Sequence, residues 1–175
     1  MTVLVRRAVA GDQEAIHSLA RGERVNPTGL SWPNFVVATN DAAIMGAVQL
    51  RVHRDGSKEL ATLVVAREWR KRGFAAKLIE TILTDQPDRI FMITGRSHAH
   101  HYARWGFLPI APASAPLGVR RNYRLGYYGG CLFALLQRRA INHLVILDRI
   151  STQPCCDNRL AAQLLGRIPQ NEAAA

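Results

Sequence analysis

The chain has 175 residues, 48% of them hydrophobic and 21% charged, with a formal charge of +10 and a pI near 10.5. That length suits one domain with a sizeable core and is short for two, and the composition is that of an ordinary soluble globular protein. The excess of positive charge points to an anionic ligand, nucleic acid, an acidic membrane surface or simple solubility, without choosing among them.

The N-terminal "TVLVRRAV" reads as a strand, with no signal-peptide apolar region ahead of it. "GDQEAIHSLARGE" follows as a helix, with Asp12 as its N-cap and Ile16 and Leu19 on one face. "RVNPTGLSWPN" is turn-rich, and "FVVATNDAAIMGAVQLRVH" reads as two strands around an Asn40–Asp41 turn. "RDGSK" signals a second hairpin, and "ELATLVVA" a central strand buried on both faces. A helix then carries Phe74, Leu78, Ile79, Ile82 and Leu83 at helical spacing. "RIFMITG" is a buried strand, "SHAHHYARW" a short helix and "GFLPI" a strand. After the Pro- and Ala-rich "APASAPLG", "YYGGCLFALLQRR" reads as a helix and "NHLVILDR" as the last strand. The tail from 151 to 175 reads as partly disordered. The expected architecture is a mixed α/β single domain over residues 1–150.

The three cysteines, Cys131, Cys155 and Cys156, form neither a metal-ligand spacing nor a disulfide framework, which suits a reducing cytoplasmic setting. The longest nearly uncharged apolar run, "LGYYGGCLFALL", falls well short of the roughly 20 residues that span a bilayer.

The stretch "REWRKRGFAAKLIETIL" sets Arg67, Arg70, Lys71 and Arg72 at the start of a helix, where the backbone dipole is already positive. That placement opposes helix stability unless an anion binds there. The first amides of a helix lack intrahelical acceptors, Gly73 lets a ligand approach the backbone, and Ala75 keeps the next position small. Together with the flanking cations they make a phosphate cradle. Neither Gly-x-x-x-x-Gly-Lys-[Ser/Thr] nor Gly-x-Gly-x-x-Gly is present, which disfavours a P-loop or a Rossmann dinucleotide site.

"RKRGFA" fits the pattern [Arg/Gln]-x-x-Gly-x-[Gly/Ala] through Arg70, Gly73 and Ala75, and follows the β-rich "LVV" at Leu63, Val64 and Val65. Downstream, "HHYARWGF" fits Tyr-x-x-x-Gly-Phe through Tyr102, Gly106 and Phe107. In both segments, their separation and the element order over residues 3–110, the chain resembles the GNAT N-acetyltransferase superfamily. The resemblance implies a GNAT-like twisted mixed sheet of about six to seven strands flanked by helices, and acetyl-coenzyme A as co-substrate with no metal. It implies a pyrophosphate on the loop and first-turn amides of Arg70, Lys71, Arg72, Gly73, Phe74, Ala75 and Ala76, with the pantetheine arm along Leu63, Val64 and Val65. It also implies Tyr102 as the acid for the leaving thiolate and Glu59, at the start of the donor strand, as the base. The position where relatives often carry a pantetheine-contacting Asn is Gly95 here, with Arg96 or Ser97 as substitutes. His98, His100 and His101 resemble a metal cluster but lack a nearby Cys or carboxylate partner, which argues against a metal.

The basic helix and strand of residues 119–150 lie beyond this core. From Gly118 to Arg149 there are six arginines against one acid, Asp148, a balance suited to an acceptor with an anionic part. Tyrosines among arginines also suit nucleic acid, although no recognised binding motif accompanies them, or an amphipathic helix on an anionic membrane. The plainer reading packs "YYGGCLFALLQRR" on the core or on a second subunit of a homodimer. The function expected is acetyl transfer to a primary amine of a small molecule or amino acid by direct attack in a ternary complex. The alternatives are a protein or peptide N-terminal or lysine acetyltransferase, and a non-catalytic acyl-coenzyme A-binding or RNA-associated module.

Overall fold

A computed structural model describes residues 3–23, 25, 29–40, 43–84, 86, 89–137 and 143–149, the side chains of 129–137 excepted. The apolar runs form β1 (Val3–Arg7), α1 (Gln13–Gly22), β2 (Phe35–Asn40), β3 (Ala43–Val52), β4 (Lys58–Val65), α2 (Phe74–Leu83), β5 (Ile90–Gly95), β6 (Phe107–Ile110), α3 (Leu117–Gln137) and β7 (Leu144–Arg149). A 3-10 segment, Arg96–Trp105, joins β5 to β6. The fold is mixed α/β with seven strands among the described residues, matching the expected class. The chain divides into two compact units, Met1–Arg51 with Leu60–Pro87, and Val52–Glu59 with Asp88–Ala175. The expected 151–175 tail, the Asp41 turn residue and the three cysteine side chains lie outside the described residues.

In the first unit the strand order is β1-β2-β3-β4. β1 and β2 are antiparallel, with Val5 opposite Ala38, and so are β2 and β3, with Val37 opposite Ala47. Ile16 and Ala20 stand one turn apart on α1 and bury against Phe35, Val37, Ala47 and Val64. On α2, Leu78, Ile79, Ile82 and Leu83 are all buried, each contributing roughly 1.5–3 kcal/mol before entropy is charged. The periodicity of that run therefore maps onto the core as expected, with Phe74 only half-buried.

Asp12 stands at the N-cap position of α1 as expected, but its side chain does other work. It makes no side-chain cap to α1. Its carboxylate instead accepts from the Arg6 guanidinium at 2.6 and 3.1 Å and from the Val9 N–H at 2.8 Å, closing the 3-10 turn ahead of the helix. The Arg6 hydrogen bond holds the carboxyl below its ordinary 3.8. A depressed folded-state pKa means the stabilisation is present above the unfolded value and lost as pH falls through the folded one. Asp12→Asn should therefore cost about 1 kcal/mol at pH 7, kept small because Arg6 is a third exposed. Urea unfolding at pH 7 and pH 2.5 should show the wild-type advantage shrinking at the lower pH.

β4 is also less covered than its composition suggests. Only Glu59, Leu60 and Val64 are buried, while Leu63 and Val65 stay half-exposed. Thr62 sits at φ 47, a left-handed conformation that breaks the alternation of faces in mid-strand. Its hydroxyl donates to Gln49 Oε1 at 3.1 Å, and the fully buried Gln49 donates to the Gly29 carbonyl at 2.7 Å. A non-glycine residue held left-handed costs about 1–2 kcal/mol, so this buried amide supports a strained point.

In the second unit β7 lies between β5 and β6, antiparallel to both, so that Leu147 faces Met92 on one side and Pro109 on the other. Pro109 has no N–H to donate and falls on the terminal strand, where that loss is tolerated. Asp148, the lone acid of the basic segment, is 5% exposed and paired with Arg89 at 2.5–2.9 Å. α3 begins at Leu117, directly after Pro116, ten residues earlier than the apolar run suggested. Val119 is buried in a cluster with Phe91, Ala115 and Ile146. Arg121, Arg124, Leu125 and Tyr128 of the same helix are exposed. Among the described residues no helix is long and apolar enough to cross a membrane.

Candidate functional site

The first unit carries the predicted anion loop. Arg70 is extended (φ −66°, ψ 160°), Lys71 turns left-handed at φ 62, and Gly73 is left-handed at φ 83. Alternation of this kind aims neighbouring backbone N–H groups at one point, the nest geometry that binds anions. The first intrahelical bond at this end of α2 runs from the Lys77 N–H to the Gly73 carbonyl at 3.1 Å. The amides of Phe74, Ala75 and Ala76 precede it and so lack intrahelical acceptors. A Cβ built on Gly73 meets nothing within 4 Å, so the loop is open on that side. These residues fit a diphosphate by donor chemistry and by space.

The four cations of this stretch do not play equal parts. Arg70 donates through Nε to the Val65 carbonyl at 3.0 Å and through Nη2 to Glu23. Glu23 also accepts the Arg67 N–H at 2.9 Å. Arg70 therefore ties the loop to the end of β4 and to the residue after α1. Arg72 lies 4.9 Å over the Trp69 ring, which meets Phe74 edge-on at 6.0 Å. Lys71 is exposed. Leu63 and Val65 border the loop half-exposed, with Val64 turned into the core at 4% exposure.

The second unit holds both residues expected to move protons. Tyr102, on the 3-10 segment, is half-buried between Trp105 and Phe107, with ring centroids 6.2 and 6.5 Å away. Burial pushes its phenol above the ordinary tyrosine value, and a hydrogen bond with Thr94 on β5 partly opposes that. Glu59 is not the solvated strand end that a charged first residue suggests. It is 3% exposed, accepts Asn122 Nδ2 at 3.0 and 2.9 Å on its two oxygens, and lies 2.7 Å from His53 Nε2.

His53 and Asn122 were not singled out by sequence. For His53 a signal existed. Its N–H donates to the Ser57 carbonyl at 2.9 Å, closing the hairpin at "RDG", and that register puts residues 53 and 59 on one face as diagonal neighbours. Asn122 lies 63 positions from Glu59 and gave none. In the same corner the Asp55 carboxylate accepts the Ser57 hydroxyl at 2.6 Å and the Gly118 N–H at 2.6 Å. Those bonds, the Ser57 hydroxyl first, hold its pKa at about 2.

The His100 and His101 rings are tilted by 44° with centroids 3.8 Å apart, and burial together with the neighbouring cationic groups pushes His101 below the usual imidazole range. Among the described residues no group of three His, Cys, Asp or Glu is set to hold a metal. At the Gly95 departure, the Arg96 N–H donates to the His143 carbonyl at 2.8 Å, and the Ser97 hydroxyl bonds His98 Nδ1 at 3.2 Å.

The model of the acetyltransferase (GNAT) domain matches residues 31–109. No curated protein sequence matches the chain. Among solved structures, N-acetylglutamate synthase from Neisseria gonorrhoeae, complexed with coenzyme A and N-acetyl-glutamate, is 20% identical with a TM-score of 0.62, over 85% of this chain and 35% of that one. The chain thus spans about a third of that synthase. A Mycobacterium tuberculosis protein in complex with CoA and NLQ is 21% identical with a TM-score of 0.60, over 83% of this chain and 98% of that one. Ard1 from Thermoplasma volcanium is 12% identical with a TM-score of 0.58, over 87% of this chain and all of its own length. At these identities the likeness is one of fold.

Proposed function

We propose that this chain, whose residues 31–109 match the acetyltransferase (GNAT) domain, moves the acetyl group of acetyl-coenzyme A to a primary amine of a small molecule or amino acid. The observation that carries this reading is the left-handed pair Lys71 and Gly73 opening onto the first-turn amides of α2. Those amides would hold the diphosphate, with Leu63, Val64 and Val65 alongside the pantetheine arm. The bound donor supplies a thioester. An N–H near Val65 would polarise its carbonyl, Tyr102 would protonate the leaving thiolate, and the buried corner built around Glu59 would draw the proton from the acceptor amine. A phenol and a thiol have similar ordinary pKa values, so that transfer is nearly balanced. Attack is direct, in a ternary complex.

An amino acid acceptor is favoured by two observations. The gonococcal neighbour was solved with N-acetyl-glutamate, and the basic α3 carries exposed Arg121 and Arg124, which suit an anionic group on the acceptor. Coenzyme A release should be measured from acetyl-coenzyme A across amino acids, arylalkylamines, polyamines, an aminoglycoside, and N-terminal and lysine peptides. Turnover is expected with amino acids. Turnover with peptides alone would move the assignment to a protein acetyltransferase. Silence throughout, with coenzyme A still bound, would overturn the enzyme reading in favour of a binding module.

A further inference from the structure

Glu59 is poorly placed to meet a substrate by itself. Its side chain is 4% exposed and both its oxygens are occupied, one by Asn122 alone and the other by Asn122 and His53. The more accessible member of the pair is His53, at 12%. Its Nε2 faces the carboxylate at 2.7 Å, a distance that suits a donated N–H, which leaves Nδ1 as the lone-pair nitrogen.

The ring is also fixed. Gly118, in the first turn of α3, is so close that a Cβ there would fall 2.5 Å from His53 Cβ and 2.7 Å from its Cγ. The Gly118 N–H is pinned in turn by Asp55. The carboxylates near His53 are Glu59 and Asp55, and the α3 residues set against this corner, Gly118 and Asn122, carry no charge. The imidazole is therefore oriented by one buried carboxylate, which is itself oriented by an amide from a distant helix. This is the arrangement in which a histidine serves as base and a carboxylate holds its tautomer.

Resting on the acyl-transfer reading, we infer that the proton acceptor is His53 Nδ1, with Glu59 and Asn122 as positioning residues. The N–H bond of the acceptor ammonium breaks and an Nδ1–H bond forms. The released electron pair stays on the acceptor nitrogen as the attacking lone pair. The new imidazolium charge is met by Glu59, and its proton later passes to water.

His53→Gln keeps a donor toward Glu59 but no base. It should melt near the wild type, keep the KM for acetyl-coenzyme A within about twofold, and lose about a hundredfold in kcat. His53→Ala should regain part of its rate on addition of free imidazole, a rescue that a structural role would not give. Nitrogen-15 NMR of the unliganded wild type should show the neutral His53 ring protonated at Nε2. A His53→Gln enzyme at wild-type rate would overturn the inference while leaving acyl transfer standing. A ring protonated at Nδ1 would overturn it whether or not the enzyme turns over. Wild-type silence on every amine would remove acyl transfer and this proposal together.

Discussion

Tyr102→Phe is expected to lower kcat at least about tenfold, some 1.4 kcal/mol of barrier, with the affinity for coenzyme A unchanged. The substitution removes one hydroxyl and its bond to Thr94, while leaving the ring between Trp105 and Phe107. The structural loss should be about 1 kcal/mol. Burial places the phenol above its ordinary 10.0, so Tyr102 stays protonated across the neutral range. An alkaline limb due to Tyr102 in the wild-type rate should therefore fall above pH 10, and it should be missing from the phenylalanine variant. Steady-state kinetics from pH 6 to 10.5, with coenzyme A binding measured alongside, tests both points. A variant with unchanged kcat would reduce Tyr102 to packing between two aromatic rings.

The parts of this protein that were legible in sequence are those set by local rules. The α2 stripe follows from helical spacing, and its buried residues Leu78, Ile79, Ile82 and Leu83 are among those the spacing picks out. The turn ahead of α2 was legible because a glycine just before an apolar helical run marks a bend in the chain, and Gly73 takes a left-handed φ. The hairpin at "RDG" was legible for the same reason. Its Gly56 sits at φ 80.

What stayed hidden depends on contacts distant in sequence. The surroundings of Glu59 were hidden because nothing local reveals that Asn122 on α3 will bond both its oxygens. Asp12 holds the N-cap position read from sequence, but its carboxylate goes to Arg6, which arrives through the path of β1 that composition does not report. β4 looked evenly buried because the run from Leu60 to Val65 is almost wholly apolar, while the left-handed Thr62 is tied to Gln49 from the neighbouring strand. The start of α3 was hidden by the glycines within the helix and by Pro116. The proline carbonyl, however, accepts the Arg120 N–H at 2.9 Å and opens the first turn.

Gly73→Val should have its effect on the donor site in two separable parts. The first is conformational: φ 83 is costly for a β-branched residue, about 1–2 kcal/mol of stability, although the added carbons meet no atom within 4 Å of the ideal Cβ position. The second appears only with ligand, because that open space is where the proposed diphosphate would approach the amides of Phe74, Ala75 and Ala76. Coenzyme A affinity is accordingly expected to fall by tenfold or more, about 1.4 kcal/mol at least. Gly73→Ala separates the two contributions, since it keeps most of the backbone penalty and adds one carbon. Calorimetric titration with coenzyme A and with dephospho-coenzyme A, beside urea unfolding of the free proteins, measures each part. If both variants lose stability yet bind coenzyme A as the wild type does, the diphosphate does not lie on this loop. If affinity falls in step with side-chain size, beyond what stability explains, the left-handed glycine is where the donor meets the backbone.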